Sequence, residues 1–146
     1  MRVLVIHGPN LNMLGRRDPE LYGTQTLADI NGLIEARAKE LDTQVECFQA
    51  NGEGAIIDFI QANASGADAI IINPGAFGHY SYAIHDALLD SNVPIAEVHL
   101  SNVFSRDQWR RTSVISPIVR GVVSGFGWRG YVAALEMLVA LVREKG

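Results

Sequence analysis

Short runs that are apolar on both faces, separated by stretches with helical periodicity, constrain this chain more than any other feature. Val3 to Ile6, Ala69 to Ile72 and Gly121 to Val123 are continuous apolar runs, and Ile95 to Val98 is one interrupted only by Glu97, each with Gly, Pro or Asn close by. Runs of that kind read as strands, and strands without polar alternation belong inside parallel sheets covered on both faces. Thr43 to Gln49 is more mixed and suits a sheet edge.

The intervening segments carry the helices. Leu27, Ile30, Ile34, Ala38 and Leu41 recur at three- and four-residue spacing, with Thr26 and Asp29 placed as a capping box at the start. Ile56, Ile57 and Ile60 mark a second helix, Tyr82 to Leu89 a third, and Tyr131, Leu135, Leu138 and Val142 a long C-terminal fourth. Alternation of strand and helix predicts an α/β fold, a doubly wound five-stranded parallel sheet in flavodoxin-like order, with right-handed crossovers and helices on both faces. At 146 residues and 48% hydrophobic content, one domain spanning 1–146 is expected.

Charge and cysteine content narrow the function classes. Twelve basic residues against 16 acidic ones give a net charge of −4, which offers no general footprint for nucleic acid or an anionic membrane. No stretch approaches the ~20 apolar residues of a spanning helix, and the run from Val3 to Ile6 is too short for a signal peptide. The lone Cys47 permits no internal disulfide and reads as a packing residue, so a cytoplasmic location is expected.

In open parallel sheets, ligands bind beyond the carboxyl ends of the strands, which directs attention to the segments that follow them. The connection from Gly8 to Gly23 is unusually long and carries Arg16, Arg17 and Tyr22 between glycines. Its composition suits a lid that closes over an anion, and equally a solvated loop. Asn73-Pro74-Gly75-Ala76-Phe77-Gly78-His79 follows the third long strand, and places His79 just before a helix expected to begin near Ser81. A single His in a Gly-rich turn is more often structural than catalytic.

Glu97 and His99 carry a stronger signal. At a spacing of two on a strand they point to the same side of the sheet, at its ligand-binding end. Two ionisable groups there are costly unless paired, and a carboxylate beside an imidazole fixes its tautomer. Arg106, Arg110 and Arg111 come next, as an anion clamp or as a solvated face. His7 and His85 read as structural or surface residues. Phosphate-loop and dinucleotide fingerprints are missing, and the histidines lack metal-ligand spacing, so neither a cofactor nor a metal is expected.

Taken together, Gly8-Pro9-Asn10-Leu11-Asn12, Leu14-Gly15-Arg16-Arg17 with Tyr22-Gly23, Asn73-Pro74-Gly75-Ala76, Glu97-Val98-His99-Leu100-Ser101-Asn102-Val103 and Ser116-Pro117 closely resemble the type II 3-dehydroquinate dehydratases over nearly the whole chain. The resemblance implies reversible anti dehydration of 3-dehydroquinate to 3-dehydroshikimate through an enolate or enol, in the shikimate pathway or in quinate breakdown, without metal or cofactor. It implies Tyr22 as base, Arg17 as the cation that holds it as phenolate, and His99 as the acid. Asn10 would position a water, Glu97 and Asn73 would orient catalytic groups, and His79 and Arg110 would bind substrate hydroxyls. The backbone N–H groups of Leu100 and Ser101 would hold the substrate carboxylate. Asp86 would reach the site of a neighbouring subunit in a dodecamer of four trimers.

Three positions depart from that pattern: Gly78 and Tyr80 stand where the family has Thr, and His85 where it commonly has Arg. The alternatives are an inactive relative that binds a metabolite, or a flavodoxin-like binding module. The first is disfavoured by the intact Arg17, Tyr22 and His99, and the second lacks phosphate-binding chemistry.

Overall fold

The computed structural model describes residues 1–146. Five strands, β1 (Arg2–His7), β2 (Gln44–Gln49), β3 (Ala69–Asn73), β4 (Ile95–His99) and β5 (Gly121–Ser124), form one parallel sheet in the order β2-β1-β3-β4-β5. This is the expected flavodoxin-like order. Because β2 and β3 flank β1, the winding reverses there, and a crevice opens between the loops after β1 and β3.

Alternation along the strands divides the core into two. Val3, Val5, Ile71 and Val98 pack against helices α2 (Leu27–Glu40) and α5 (Arg129–Lys145). Leu4, Ile6, Ile70, Ile72 and Ile95 face α3 (Glu53–Asn63) and α4 (Tyr82–Asp90) on the other side. Both clusters are needed because the inner strands have no solvated face. Helix α2 starts with the expected capping box, in which Thr26 accepts from the Asp29 N–H while the Asp29 carboxylate accepts from the Thr26 N–H. Helix α4 is capped by the Ser81 side chain, which accepts from the Ile84 N–H at 3.1 Å.

Two expectations are corrected. The run from Gly121 to Val123 is not buried: β5 forms the outer edge beside β4, and Val122 is 47% exposed. Its hydrophobicity matches that of the inner strands, but nothing covers its outer side. The connection after β1 also contains a short helical turn, α1 (Pro19–Tyr22), which composition alone did not suggest. The Asp18 carboxylate caps it by accepting from the Glu20 N–H, and Pro19 occupies the first helical position, where its missing donor costs nothing.

Cys47 is a packing residue, and His7 is structural and interior rather than a surface residue. His7 is fully buried, and burial lowers its pKa to about 4, against the opposing pull of its hydrogen bond to Asn31. Cys47 packs against the α2 and α5 cluster, and burial pushes its thiol up to about 12, helped by the charge on Glu35. No helix is long and apolar enough to cross a membrane.

Candidate active site

Three connections at the carboxyl end of the sheet converge on one small cleft. The segment after β1 contributes Asn10, Arg17 and Tyr22, the turn after β3 contributes His79 beside the strand-end Asn73, and the segment after β4 contributes Leu100, Ser101, Arg106 and Arg110 beside His99. The cleft holds about 100 Å³. A larger groove of about 800 Å³ lies at the opposite, amino end of the strands, near Arg2, Lys39 and Glu46, and lacks any such convergence of functional groups.

The connection after β1 is tethered at its base. Leu11 and Leu14 are each only 3% exposed, so the stretch from Pro9 to Leu14 is fixed to the α2 and α5 side of the core. Asn10 adopts a left-handed conformation at φ 68°, and its N–H donates to the Asn51 side-chain oxygen at 3.0 Å. Gln49 donates to that same oxygen and to the Gly8 carbonyl, so the end of β2 braces the start of the loop. Gly8 is required by space: its N–H donates to the Asn73 carbonyl, and a β carbon there would stand 2.4 Å from the Pro74 oxygen.

Arg17 and Tyr22 meet within the outer part of this connection. Arg17 Nη2 donates to the Tyr22 hydroxyl at 3.0 Å, and its guanidinium carbon lies 4.1 Å from the ring centroid. A second guanidinium, that of Arg106, comes from the segment after β4 and lies 5.2 Å from the same centroid. It is steadied by donating from Nη1 to the Ser101 hydroxyl at 3.1 Å. The phenol thus has two guanidiniums beside it.

Glu97 and His99 point the same way, as their spacing predicts. The His99 Nε2–H donates to Glu97 Oε2 at 2.5 Å, which leaves Nδ1 as the ring position facing the cleft. Glu97 is 1% exposed, and burial opposes its ionisation. Hydrogen bonds from His99, Ser116 and Ser113 outweigh that cost and hold its carboxyl below the usual carboxylate range. An ionised carboxylate that is fully hydrogen-bonded can only accept, so it fixes the tautomer of the ring.

His79 donates from Nδ1 to the Thr112 carbonyl at 2.7 Å, leaving Nε2 free. Its ring stacks on His99 with centroids 6.4 Å apart and meets Trp109 edge-on at 5.1 Å. Arg110 packs over Trp109, and its Nε is buried without a hydrogen-bond acceptor, the nearest carboxylate oxygen being that of Asp107 at 3.5 Å. At Gly78 a β carbon would lie 2.7 Å from the Pro74 ring, so a larger side chain has no room in this backbone. No three His, Cys, Asp or Glu side chains lie close enough together to hold a metal ion.

Asn10, Arg17, Tyr22, Asn73, His79, His99, Leu100, Ser101 and Arg110 therefore share one cleft, with Glu97 directly behind His99. Asp86 does not join them. It lies on the outside of α4, largely exposed and paired with His85 at 2.9 Å. The sequence reading singled out Arg110 and gave Arg106 no role of its own, and it missed the side chains of Ser113 and Tyr131, whose hydroxyls reach Glu97 and Asn73.

Comparison with known proteins gives a consistent picture. The family described as Dehydroquinase class II matches residues 1–139. A 3-dehydroquinate dehydratase of Roseiflexus castenholzii is 55% identical over 95% of this chain and 88% of its own length. One from Halothermothrix orenii is 50% identical over 98% of this chain and 97% of its own. The crystal structure of a type II dehydroquinase from Butyrivibrio crossotus superposes with a TM-score of 0.92, at 47% identity over 94% of this chain and 97% of that one.

Proposed function

Since the chain belongs to the class II dehydroquinases and is a type II 3-dehydroquinate dehydratase, we propose that Tyr22, held between Arg17 and Arg106, is the base of the dehydration. The observation that carries this reading is the 3.0 Å bond from Arg17 to a phenol that lines the same cleft as His99. A phenol ordinarily titrates near about 10, so a neutral-pH tyrosine base needs cations beside it and few waters around it.

The Tyr22 phenolate takes the axial hydrogen next to the ketone of 3-dehydroquinate as a proton, and the C–H electron pair becomes an enolate. Asn10 holds a water against the enolate oxygen, its position set by the brace from Asn51. When the electron pair returns to form the ring double bond, the hydroxyl leaves from the opposite face and collects the His99 Nδ1 proton, departing as water. Glu97 supports the imidazolium before that step and orients the neutral ring after it. Proton exchange with solvent then resets both residues. The product is 3-dehydroshikimate, and every step runs in reverse.

Binding groups surround that path. The carbonyls of His99 and Leu100 accept from Gly125 and Gly127, and in trans peptides this turns the N–H groups of Leu100 and Ser101 the opposite way, as a cradle for the substrate carboxylate. His79 Nε2 and Arg110 take substrate hydroxyls, and the unmatched Nε of Arg110 is a donor awaiting such a partner. Asp86, exposed and remote from its own cleft, serves the cleft of a neighbouring subunit in a dodecamer of four trimers. The enzyme works in the cytoplasm, which suits a chain with one free, protonated thiol.

The purified protein mixed with 3-dehydroquinate is expected to generate the ultraviolet absorbance of the conjugated enone of the product. A folded protein that binds 3-dehydroquinate yet yields no enone at any pH between about 6 and about 9 would refute the catalytic assignment.

A further inference from the structure

Behind the cleft lies a hydrogen-bond chain that the reaction scheme does not use. The Gly75 N–H donates to Asn73 Oδ1 at 3.2 Å, which places the amide nitrogen of Asn73 on the other branch. That nitrogen donates to the Tyr131 hydroxyl oxygen at 3.1 Å. The phenol, having accepted, directs its own proton to His7 Nδ1 at 2.9 Å. A ring that accepts at Nδ1 carries its hydrogen on Nε2, and this donates to Asn31 Oδ1 at 2.8 Å.

Each member fixes the orientation of the next, and the interior ones have no water to turn to: His7 and Tyr131 are 0% exposed and Asn73 is 3% exposed. Burial keeps the Tyr131 phenol protonated and the His7 ring neutral, as the chain requires. An amide nitrogen has two hydrogens. Tyr131 takes one of them, and Asn73 lines the cleft, so the second is available to a ligand.

We propose that Tyr131 and His7 are positioning residues for the dehydration, locking the Asn73 amide in the one orientation that offers the substrate an N–H rather than a carbonyl oxygen. The proposal rests on the dehydroquinase reading of the cleft that Asn73 lines. A donor there stabilises oxygen that gains negative charge during the reaction, whereas a flipped amide would set a lone pair against it. Tyr131 touches no substrate and acts only through Asn73.

A double-mutant cycle with 3-dehydroquinate as substrate separates this role from a purely structural one. Tyr131→Phe keeps the ring and removes the hydroxyl, and is expected to lower kcat about tenfold with KM changed less than about threefold. Asn73→Ala is expected to lower kcat by about a hundredfold, and adding Tyr131→Phe to it should cost less than about a further twofold, because the group through which Tyr131 acts is gone. If the two losses multiply, Tyr131 acts independently of Asn73 and the proposal fails while the dehydratase assignment stands. If Asn73→Ala is as active as the wild type, the reading of Asn73 falls and takes the proposal with it. Should Tyr131→Phe not fold, His7→Phe run through the same cycle decides the matter by the same criterion, since it removes the acceptor that orients the Tyr131 proton.

Discussion

The Arg17 guanidinium donates to the Tyr22 hydroxyl at 3.0 Å from a position five residues earlier on the same connection. The cation therefore lies against the one side chain in the cleft able to become a base by losing a phenolic proton. Tyr22→Phe removes that oxygen and little else, and turnover should fall by about 10³-fold, with substrate affinity within a few-fold of wild type. Steady-state kinetics beside calorimetric binding of a non-reacting substrate analogue would show it, and near-normal turnover would remove Tyr22 from the mechanism.

His99→Asn should slow loss of the hydroxyl more than removal of the hydrogen next to the ketone. The acid participates only after the enolate has formed, so solvent hydrogen exchange at that carbon, followed by NMR, ought to outlast enone formation in the variant. Equal slowing of both steps would assign the acid to another group. Glu97→Gln is expected to reproduce part of the same split, at about a 10- to 100-fold loss, because a neutral amide in place of the carboxylate cannot stabilise the charged ring.

Acid should destabilise the protein through His7. Its pKa is lowered from 6.5 to about 4 by burial, so the unfolded chain binds the proton first. Stability is then full above about 6.5 and declines as pH falls toward about 4, by up to about 3 kcal/mol from this group. Glu97, held below its ordinary range, acts in the same direction at lower pH: its contribution is present above its unfolded value of 4.5 and is lost as pH falls through its folded one. Melting temperatures of wild type and His7→Asn measured from about pH 7 to about pH 4 should show a shallower decline in the variant. Parallel curves would contradict the assignment.

Gly78→Ala tests the space at the turn after β3. Its β carbon would meet the rigid Pro74 ring at 2.7 Å, so the turn that carries His79 must shift. A loss of about 1–3 kcal/mol in stability and a raised KM are expected. Unchanged values would mean that the turn accommodates a side chain there without cost.

Much of this architecture could be read in advance because its causes are local. Inner strands are apolar on both faces, helix α2 announces itself with Thr26 and Asp29, and Glu97 and His99 share a side by strand geometry alone. What escaped depends on distant parts of the chain. Gly121 to Val123 has the composition of an inner strand, and only the sheet order makes it an edge. Arg106, Arg110 and Arg111 are alike in sequence, and the path of their loop alone decides that Arg106 reaches Tyr22 while Arg110 faces the cleft. Tyr131 fits the apolar stripe of α5 so well that nothing in the sequence singles out its hydroxyl, although that oxygen is the partner of Asn73. Asp18 followed by Pro19 is a legible start for the short turn, but four residues leave no periodicity to support it.

The two guanidiniums at Tyr22 differ in where they are anchored. Arg17 shares the outer stretch of chain with the phenol, beyond the buried Leu11 and Leu14, while Arg106 is secured to Ser101 at the end of β4. Any outward swing of that stretch takes the first cation along and leaves the second behind. The tyrosine thus meets its full complement of positive charge only while that stretch lies against the end of β4, so the charge around the phenol is tied to the position of the connection that carries it.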